Sequence, residues 1–389
     1  MPNLSRYGFL RTIKKNRMLF YPVAVAAAVR VIGAFWLYHL LSEGGAFHTD
    51  WMDTNPRLIP GWSSGPNLSV SSNWLWLFNA WDSPQFQLIA QLGYVHPDYV
   101  YLPGYPILIR IVGTLIGNYW LAAFLLTQGF ALASLVVFQM LARLYMKPKE
   151  ALCATLLMAI FPEIIVFTTL GYSEALFLFS TISAWYLYKT QRTIPSLLLA
   201  GLASVTRIYG IAIIIPMFLD IVKTKHYRRL LQLVIPASFL ASWFLFCYLS
   251  TGDPLASWND EKWFTSNISS KFSLAQTIIN QLLRGIVGAV PVPFYIDPPI
   301  LIALSLFVYL IARTWQVDRP LSAYAVAIFG ALMFTATNQL ALLRFLTFIF
   351  PIWLTIRVRS LFLVAVCITF LAPVALLLWL YAITVTFVG

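Results

Sequence analysis

Apolar runs long enough to cross a bilayer core recur along the chain, separated by polar clusters and by two long polar regions. The first run spans Met18 to Leu41, and the polar region Ser42–Gly117 follows it. Runs at Tyr119–Tyr145, Glu150–Thr168 and Ser173–Lys189 come next. Pro195–Thr206 and Ile208–Ile221 each fall short of a span at about 1.5 Å rise per residue. Arg207 separates them, so they read as a short helical hairpin whose bend carries that cation. Leu230–Leu249 leads into the second polar region, Ser250–Asp297. Four more runs end the chain, at Ile300–Arg313, Leu321–Thr337, Leu342–Ile356 and Leu361–Phe387. The runs are continuous rather than alternating, which predicts helices and excludes a β-barrel. The expectation is an all-α polytopic membrane protein, a single domain over residues 1–389 with about 11 spanning or half-spanning helices.

The first polar region carries its own helical signal. Trp74, Phe78 and Trp81 recur at helical spacing, as do Phe86, Ile89 and Gly93, the pattern of helices lying in the interface. Ser83-Pro84 reads as N-cap and first turn of a helix that Gly93 ends. Ile107–Ile116 is too short to span and reads as interfacial or re-entrant.

Composition agrees with the pattern: 60% of residues are hydrophobic and 10% charged. The net charge of +12 is not a nucleic-acid footprint. Its Lys and Arg residues lie in short clusters between runs (Arg6 to Arg17, Arg143 to Lys149, Lys189 to Arg192, Lys223 to Arg229, Arg313 to Arg319, Arg357 to Arg359), as the positive-inside rule requires of cytoplasmic loops. That pattern puts the N-terminus in the cytoplasm and Ser42–Gly117 and Ser250–Asp297 outside, packed on each other as the roof of a cavity. Cys153, Cys247 and Cys367 lie within apolar runs and imply neither disulfides nor a metal site. The run from Met18 is too long for a signal-peptide core and reads as an uncleaved first span.

A chain with so few acids must place them where water or substrate meets them. Asp82, beside Trp81 in the first polar region, is the first candidate for chemistry; a helix cap is its plain alternative. The Trp81 indole offers a flat apolar face to a hexose, or serves as an aromatic-belt residue. Glu174 follows Gly171-Tyr172-Ser173 at the outer end of a run, and Glu163 lies inside one, where an ionisable residue faces a cavity or a partner such as Arg207 or Arg30. Arg207 and Arg344 violate the inside bias; unless they snorkel, they suit an anionic phosphate held at the outer surface. Arg30, mid-run, is expected to pair with an interior acid. His96 is a possible acceptor contact. No metal-ligand spacing, Walker loop, dinucleotide fingerprint or Asp-x-Asp motif is present, so no cofactor or metal is expected and a nucleotide-sugar donor is disfavoured.

These pieces resemble a known family. Trp81-Asp82 with Phe86, Ile89-Ala90 and Gly93-Tyr94, then Leu102-Pro103-Gly104-Tyr105-Pro106, is similar to the first-loop pattern of the GPI mannosyltransferase 2 (PIG-V) family of GT-C glycosyltransferases. The likeness continues through Phe161-Pro162, Tyr172-Ser173-Glu174-Ala175-Leu176-Phe177, Ala203-Ser204-Val205-Thr206-Arg207, Gly252-Asp253-Pro254-Leu255-Ala256 with Trp263, and Arg344-Phe345 before Phe350-Pro351. Gly104 departs from it, standing where the family shows Leu. The resemblance implies a GT-C fold and inverting transfer of mannose, or a related hexose, from a dolichyl- or polyprenyl-phosphate donor to a glycolipid or glycan acceptor on the extracytoplasmic side. The host membrane would be the plasma membrane of a prokaryote or the endoplasmic reticulum of a eukaryote. Asp82 would then be the base, Glu174 would position acceptor or base, and Arg207 and Arg344 would hold the leaving phosphate. Trp81, Tyr105, His96 and Glu163 complete the substrate-binding candidates. The rival reading is a transporter or flippase of lipid-linked sugars, which would carry inverted repeats with broken helices at the midplane.

Overall fold

The computed structural model describes residues 17–44, 74–267, 298–335 and 339–384. Every regular element among them is helical. Residues 45–73 and 268–297 of the two long polar regions lie outside the described residues, so the roof expected over Ser42–Gly117 and Ser250–Asp297 is seen only in part.

The elements follow the hydrophobic pattern closely. After a 3₁₀ turn at Arg17–Phe20 comes α1 (Tyr21–Gly44). A 3₁₀ turn at Trp74–Phe78 precedes α2 (Ser83–Leu92) and α3 (Gly104–Ile116). The long α4 (Tyr119–Tyr145) is capped by Asn118, whose side chain accepts from the Leu121 N–H at 2.9 Å. Then follow α5 (Pro148–Ile160), α6 (Pro162–Phe167), α7 (Glu174–Lys189), α8 (Thr193–Thr206), α9 (Ile214–Lys223), α10 (Val234–Thr251) and α11 (Ala256–Asn267). The last four are α12 (Pro298–Val317), α13 (Arg319–Thr335), α14 (Gln339–Thr347) and α15 (Leu361–Thr384). Among the described residues four stretches are long and apolar enough to cross a membrane: Met18–Leu40, Tyr119–Tyr145, Tyr227–Thr251 and Leu361–Ile383. The protein is an all-α membrane protein.

Three expectations change. The run Glu150–Thr168 is two helices, because Pro162 drives Phe161 into an extended conformation (φ −64°, ψ 129°) between α5 and α6. The run Leu342–Ile356 is likewise divided, into α14 and a 3₁₀ turn at Phe350–Thr355. Trp81 is not in the helix of Trp74 and Phe78; it sits in a turn with φ +50°, a left-handed conformation that bulky residues rarely adopt. The bend at Arg207 is as expected: α8 ends there, the residue is extended (φ −147°, ψ 138°), and a 3₁₀ turn at Ile208–Ile213 returns into α9.

The largely buried α7 is central. It packs on α4 and α8, and Phe177, Ile182 and Trp185 join the main core with Phe138, Tyr324 and Trp379. At 16 residues it is about 24 Å long at 1.5 Å rise per residue. Its two ends are both charged. At Lys189 it meets Asp318 at 3.3 Å, and Asp318 also accepts from the Tyr145 hydroxyl at 2.7 Å. At Glu174 it meets the cluster described next.

Candidate functional site

The chain enters the site through a tight polar turn. The Ala80 N–H donates to Ser83 Oγ at 2.7 Å, and Gln87 Nε2 donates to Asn79 Oδ1 at 2.5 Å. Asp82, rather than Ser83, occupies the N-cap position of α2, yet its side chain makes no capping bond. Its φ of −77° and ψ of −16° continue the helix, so the carboxylate turns away from the free N–H groups. Its backbone N–H donates instead to the Tyr172 hydroxyl at 3.0 Å, and its Oδ1 accepts from the Tyr101 hydroxyl at 3.3 Å. The Asp82 side chain remains 36% exposed.

Tyr172 belongs to the loop 168–173 between α6 and α7. The Gly171 N–H donates to Phe78 O at 2.8 Å and stitches this loop to the segment that carries Asp82. Glu174 opens α7 with a side chain 1% exposed. Its Oε1 accepts from Arg207 Nη2 at 2.7 Å and from the Arg344 guanidinium. Arg344 Nη1 also lies 3.6 Å from Asp82 Oδ2. Arg344 is 9% exposed and its guanidinium rests on the rings of Phe167 and Tyr172, both at 4.4 Å. Phe345 stands between the two cations, 4.8 Å from Arg207 and 5.1 Å from Arg344. Phe177, Tyr209, Ile328 and Phe348 line a small cavity beside Glu174 and Arg207.

The arginines are held by backbone geometry. Gly104 packs so closely on the end of α8 that a Cβ there would lie 2.7 Å from Thr206 Oγ1 and 2.9 Å from Val205 O. Glycine at this position lets α3 abut the residue before Arg207, which accounts physically for the Gly in place of a larger side chain. The Gly210 N–H then donates to Arg207 O at 2.7 Å and closes the turn.

Asp82, Glu174, Arg207 and Arg344 are thus brought together from four separate segments, with Trp81 beside them against Phe167 and Tyr381. Two cations and two carboxylates nearly neutralise one another, which is what allows such charges to be buried. Glu174 Oε2 and Arg207 Nε are buried without a hydrogen-bond partner among the described residues, so the cluster retains unused donor and acceptor capacity.

Other candidates stand elsewhere. Tyr105 is fully buried, its hydroxyl shared between Thr127 Oγ1 (2.5 Å) and Ala123 O (3.1 Å), and it packs α3 on α4. His96 Nδ1 lies 2.7 Å from Asp260 Oδ1, and Asp260 also accepts from the Tyr99 N–H at 2.9 Å. Together they tie the loop before α3 to α11, where the two long polar regions meet. Glu163 forms no ion pair with Arg207 or Arg30, and its Oε2 has no partner among the described residues. Among the described residues Arg30 pairs with no acid. It donates to Thr169 Oγ1 at 2.9 Å, Thr168 Oγ1 at 2.7 Å and Ala26 O at 3.2 Å. A mid-helix cation can be satisfied by hydroxyl and carbonyl dipoles where no carboxylate is in reach.

The sequence reading missed Tyr101, Tyr172, Phe167 and Phe345, which frame the charges. It also missed Glu261 on α11: burial pushes its carboxyl up, Asp82 adds to this and Arg207 opposes it. The run Asp260-Glu261-Lys262 between two tryptophans in the second polar region was the available signal.

A family model described as mannosyltransferase (PIG-V) matches residues 52–253, more than half of the chain. The GPI alpha-1,6-mannosyltransferase 2 of Mus musculus is 33% identical over 168 residues, covering 40% of this chain and 33% of that protein. The protein of the same name from Rattus norvegicus is 32% identical over an equal length, with the same coverage. The match therefore spans about a third of the length of these relatives. The family-matched segment contains Asp82, Glu174 and Arg207, whereas Arg344 lies beyond it and joins them through the fold.

Proposed function

The chain belongs to the mannosyltransferase (PIG-V) family, and on that premise we propose that it transfers mannose from a polyprenyl- or dolichyl-phosphate donor to a hydroxyl of a membrane glycolipid, with inversion. The observation that carries this reading is the meeting of Asp82, Glu174, Arg207 and Arg344 in one cluster with Asp82 at its open edge.

In the proposed reaction the acceptor oxygen attacks the anomeric carbon while Asp82 takes its proton. The bond from that carbon to the phosphate oxygen breaks, and the electron pair leaves with the lipid phosphate. General-base help of this kind is worth about 10²–10⁴-fold. Arg207 and Arg344 would receive the departing phosphate, a preorganised electrostatic role that needs their guanidiniums fixed in advance. Glu174 supplies that fixing: it is buried beneath both cations and binds each through one oxygen. Its role shifts from orienting the acceptor to positioning the arginines. Trp81 would offer its ring to the sugar, and His96 would act through the brace between loop and α11.

The two ends of α7 support an extracytoplasmic site. Glu174 lies at the end remote from Lys189, and the basic Lys189–Arg192 cluster marks the cytoplasmic end on the positive-inside rule.

The test is transfer by the purified protein in lipid nanodiscs, using polyprenyl-phosphate mannose labelled in the sugar and glycolipids extracted from membranes. The expected product is an α-linked mannosyl lipid formed from a β-linked donor, with release of polyprenyl phosphate. Use of a nucleotide sugar in its place, or retention of the donor's anomeric configuration, would overturn the mechanism.

A further inference from the structure

Asp82 lies beside a cation that competes for it. Arg344 Nη1 is 3.6 Å from Asp82 Oδ2, just beyond hydrogen-bond distance. A carboxylate free to swing closes on such a guanidinium, because a charge-assisted N–H···O bond of about 2.7–2.9 Å is stronger than a neutral one. Asp82 has room to swing: its side chain makes no capping bond and is 36% exposed. An oxygen locked into that salt bridge would be a poor proton acceptor.

The Tyr101 hydroxyl stands on the other oxygen, 3.3 Å from Oδ1. Burial pushes this phenol well above its ordinary value of 10.0, and the Asp82 charge adds to the effect, so the hydroxyl keeps its proton and donates. Tyr101 is itself firmly held. Its carbonyl accepts from the Tyr94 hydroxyl at 2.9 Å, and its ring meets Phe86 edge-on at 5.1 Å. Two residues back, α11 clamps Tyr99: the Tyr99 N–H donates to Asp260 Oδ2 at 2.9 Å, and Ser257 Oγ donates to Tyr99 O at 2.5 Å. The Trp243 indole N–H donates to Ser257 Oγ at 2.8 Å and ties α11 to α10. The path from α10 and α11 through Tyr99 therefore ends on Asp82. The Asp82 backbone is pinned separately, by its N–H to the Tyr172 hydroxyl at 3.0 Å, which leaves the carboxylate as the part that Tyr101 guides.

The geometry points to Tyr101 as the positioning residue of the base: its hydroxyl holds the Asp82 carboxylate off Arg344 and keeps an oxygen open to the acceptor hydroxyl. The inference rests on the proposed transfer reaction and adds the group that orients its base. Orientation matters because a general base must come within about 2.6–3.2 Å of the oxygen whose proton it takes. Without the hydroxyl the carboxylate would fold onto Arg344, and the acceptor would meet an acid already paired.

The experiment is Tyr101→Phe in the purified protein in lipid nanodiscs, made alone and together with Asp82→Asn. Phe keeps the ring against Phe86 and removes only the hydroxyl, so the thermal midpoint should match wild type. Turnover at saturating donor and acceptor should fall about tenfold, the low end for a hydrogen bond to a charged group because 3.3 Å is long, with the acceptor KM unchanged. In the Asp82→Asn background the same substitution should change the residual turnover by less than about twofold, since residues that act as a unit are not additive. Wild-type turnover, an equal loss in both backgrounds, or a loss accompanied by a lower midpoint would overturn the assignment. A second readout needs no turnover: infrared difference spectra of protein whose aspartates are isotopically labelled at the side-chain carboxyl, with the Asp82 band identified by its loss in Asp82→Asn. That band should move in Tyr101→Phe as one donor is lost and Arg344 closes in, and an unmoved band would also overturn the assignment. Absence of mannose transfer by the wild type tells against the reaction, whereas an unmoved band tells against Tyr101, so the two failures are read separately.

Discussion

Two acid–arginine clusters, one at the start of α5 and one at the start of α7, use the same chemical types for different ends. In the first, Glu150 is paired with Arg359 at 2.5 Å and with Arg357 at 3.8 Å, and these arginines are 66% and 38% exposed. In the second, Glu174 is paired with Arg207 and Arg344, which are 18% and 9% exposed. In the first arrangement the cations keep most of their water, and such pairs contribute little beyond tethering a loop. In the second, both partners have lost it, and each is stable only because the other is present. Exposure, rather than the inventory of acids and bases, separates a tether from a site. Asp82 sharpens the contrast, since it stays open to water while touching a buried cation.

Replacing Glu174 with Gln should break the comparison most severely. It leaves two buried guanidiniums without their anion, and breaking a buried pair costs about 3–5 kcal/mol. Loss of transfer together with a large fall in thermal midpoint is expected, measured on detergent-solubilised protein; an unchanged midpoint would mean that the cations do not depend on Glu174. Asp82→Asn should separate chemistry from stability. Turnover is expected to drop about 10²–10⁴-fold, the usual worth of a general base, with the midpoint unchanged. Near-normal turnover by the purified variant would remove the base assignment.

Arg344→Lys keeps the charge but loses the fork that reaches both carboxylates. A charged hydrogen bond is worth about 1.5–3 kcal/mol, so the donor KM should rise about tenfold to a hundredfold. A rise in acceptor KM alone would place Arg344 on the wrong substrate.

A smaller effect is expected where the loop before α3 meets α11. Burial pushes the Asp98 carboxyl up from 3.8 to about 7; the Val95 N–H opposes this, Asp260 adds to it and His96 opposes it. The folded junction therefore holds a proton that the unfolded chain releases. Its stabilising contribution is full below about pH 4 and is lost as pH rises through about 7. Protease resistance of the α2–α3 loop should be greater at pH 6 than at pH 8, and Asp98→Asn should abolish the difference. The least effect belongs to the tether: Arg359→Ala is expected to leave both thermal midpoint and turnover at wild-type values, and a marked fall in either would make the Glu150 cluster more than a tether.

The hydrophobic pattern by itself determined the helical membrane architecture, the span Tyr119–Tyr145 to the residue, and the bend at Arg207. These are local consequences of run length and of an arginine interrupting an apolar stretch, so they are legible in one dimension. Asp82, Glu174, Arg207 and Arg344 were legible too, because charge is scarce in an apolar chain and each instance asks for a reason. Their pairing was not. Glu174 joins both arginines and Arg30 joins none of the acids among the described residues, a choice made by the breaks at Phe161, Arg207 and Ile349 and by the close approach that Gly104 permits. The aromatic frame of Tyr101, Tyr172, Phe167 and Phe345 was hidden for the opposite reason. In a chain with 16% aromatic residues, one more ring carries no signal until the fold sets it against a guanidinium. Run lengths and scarce charges are properties of neighbouring residues, whereas partners more than 100 positions apart, such as Glu174 and Arg344, are chosen only when the helices pack.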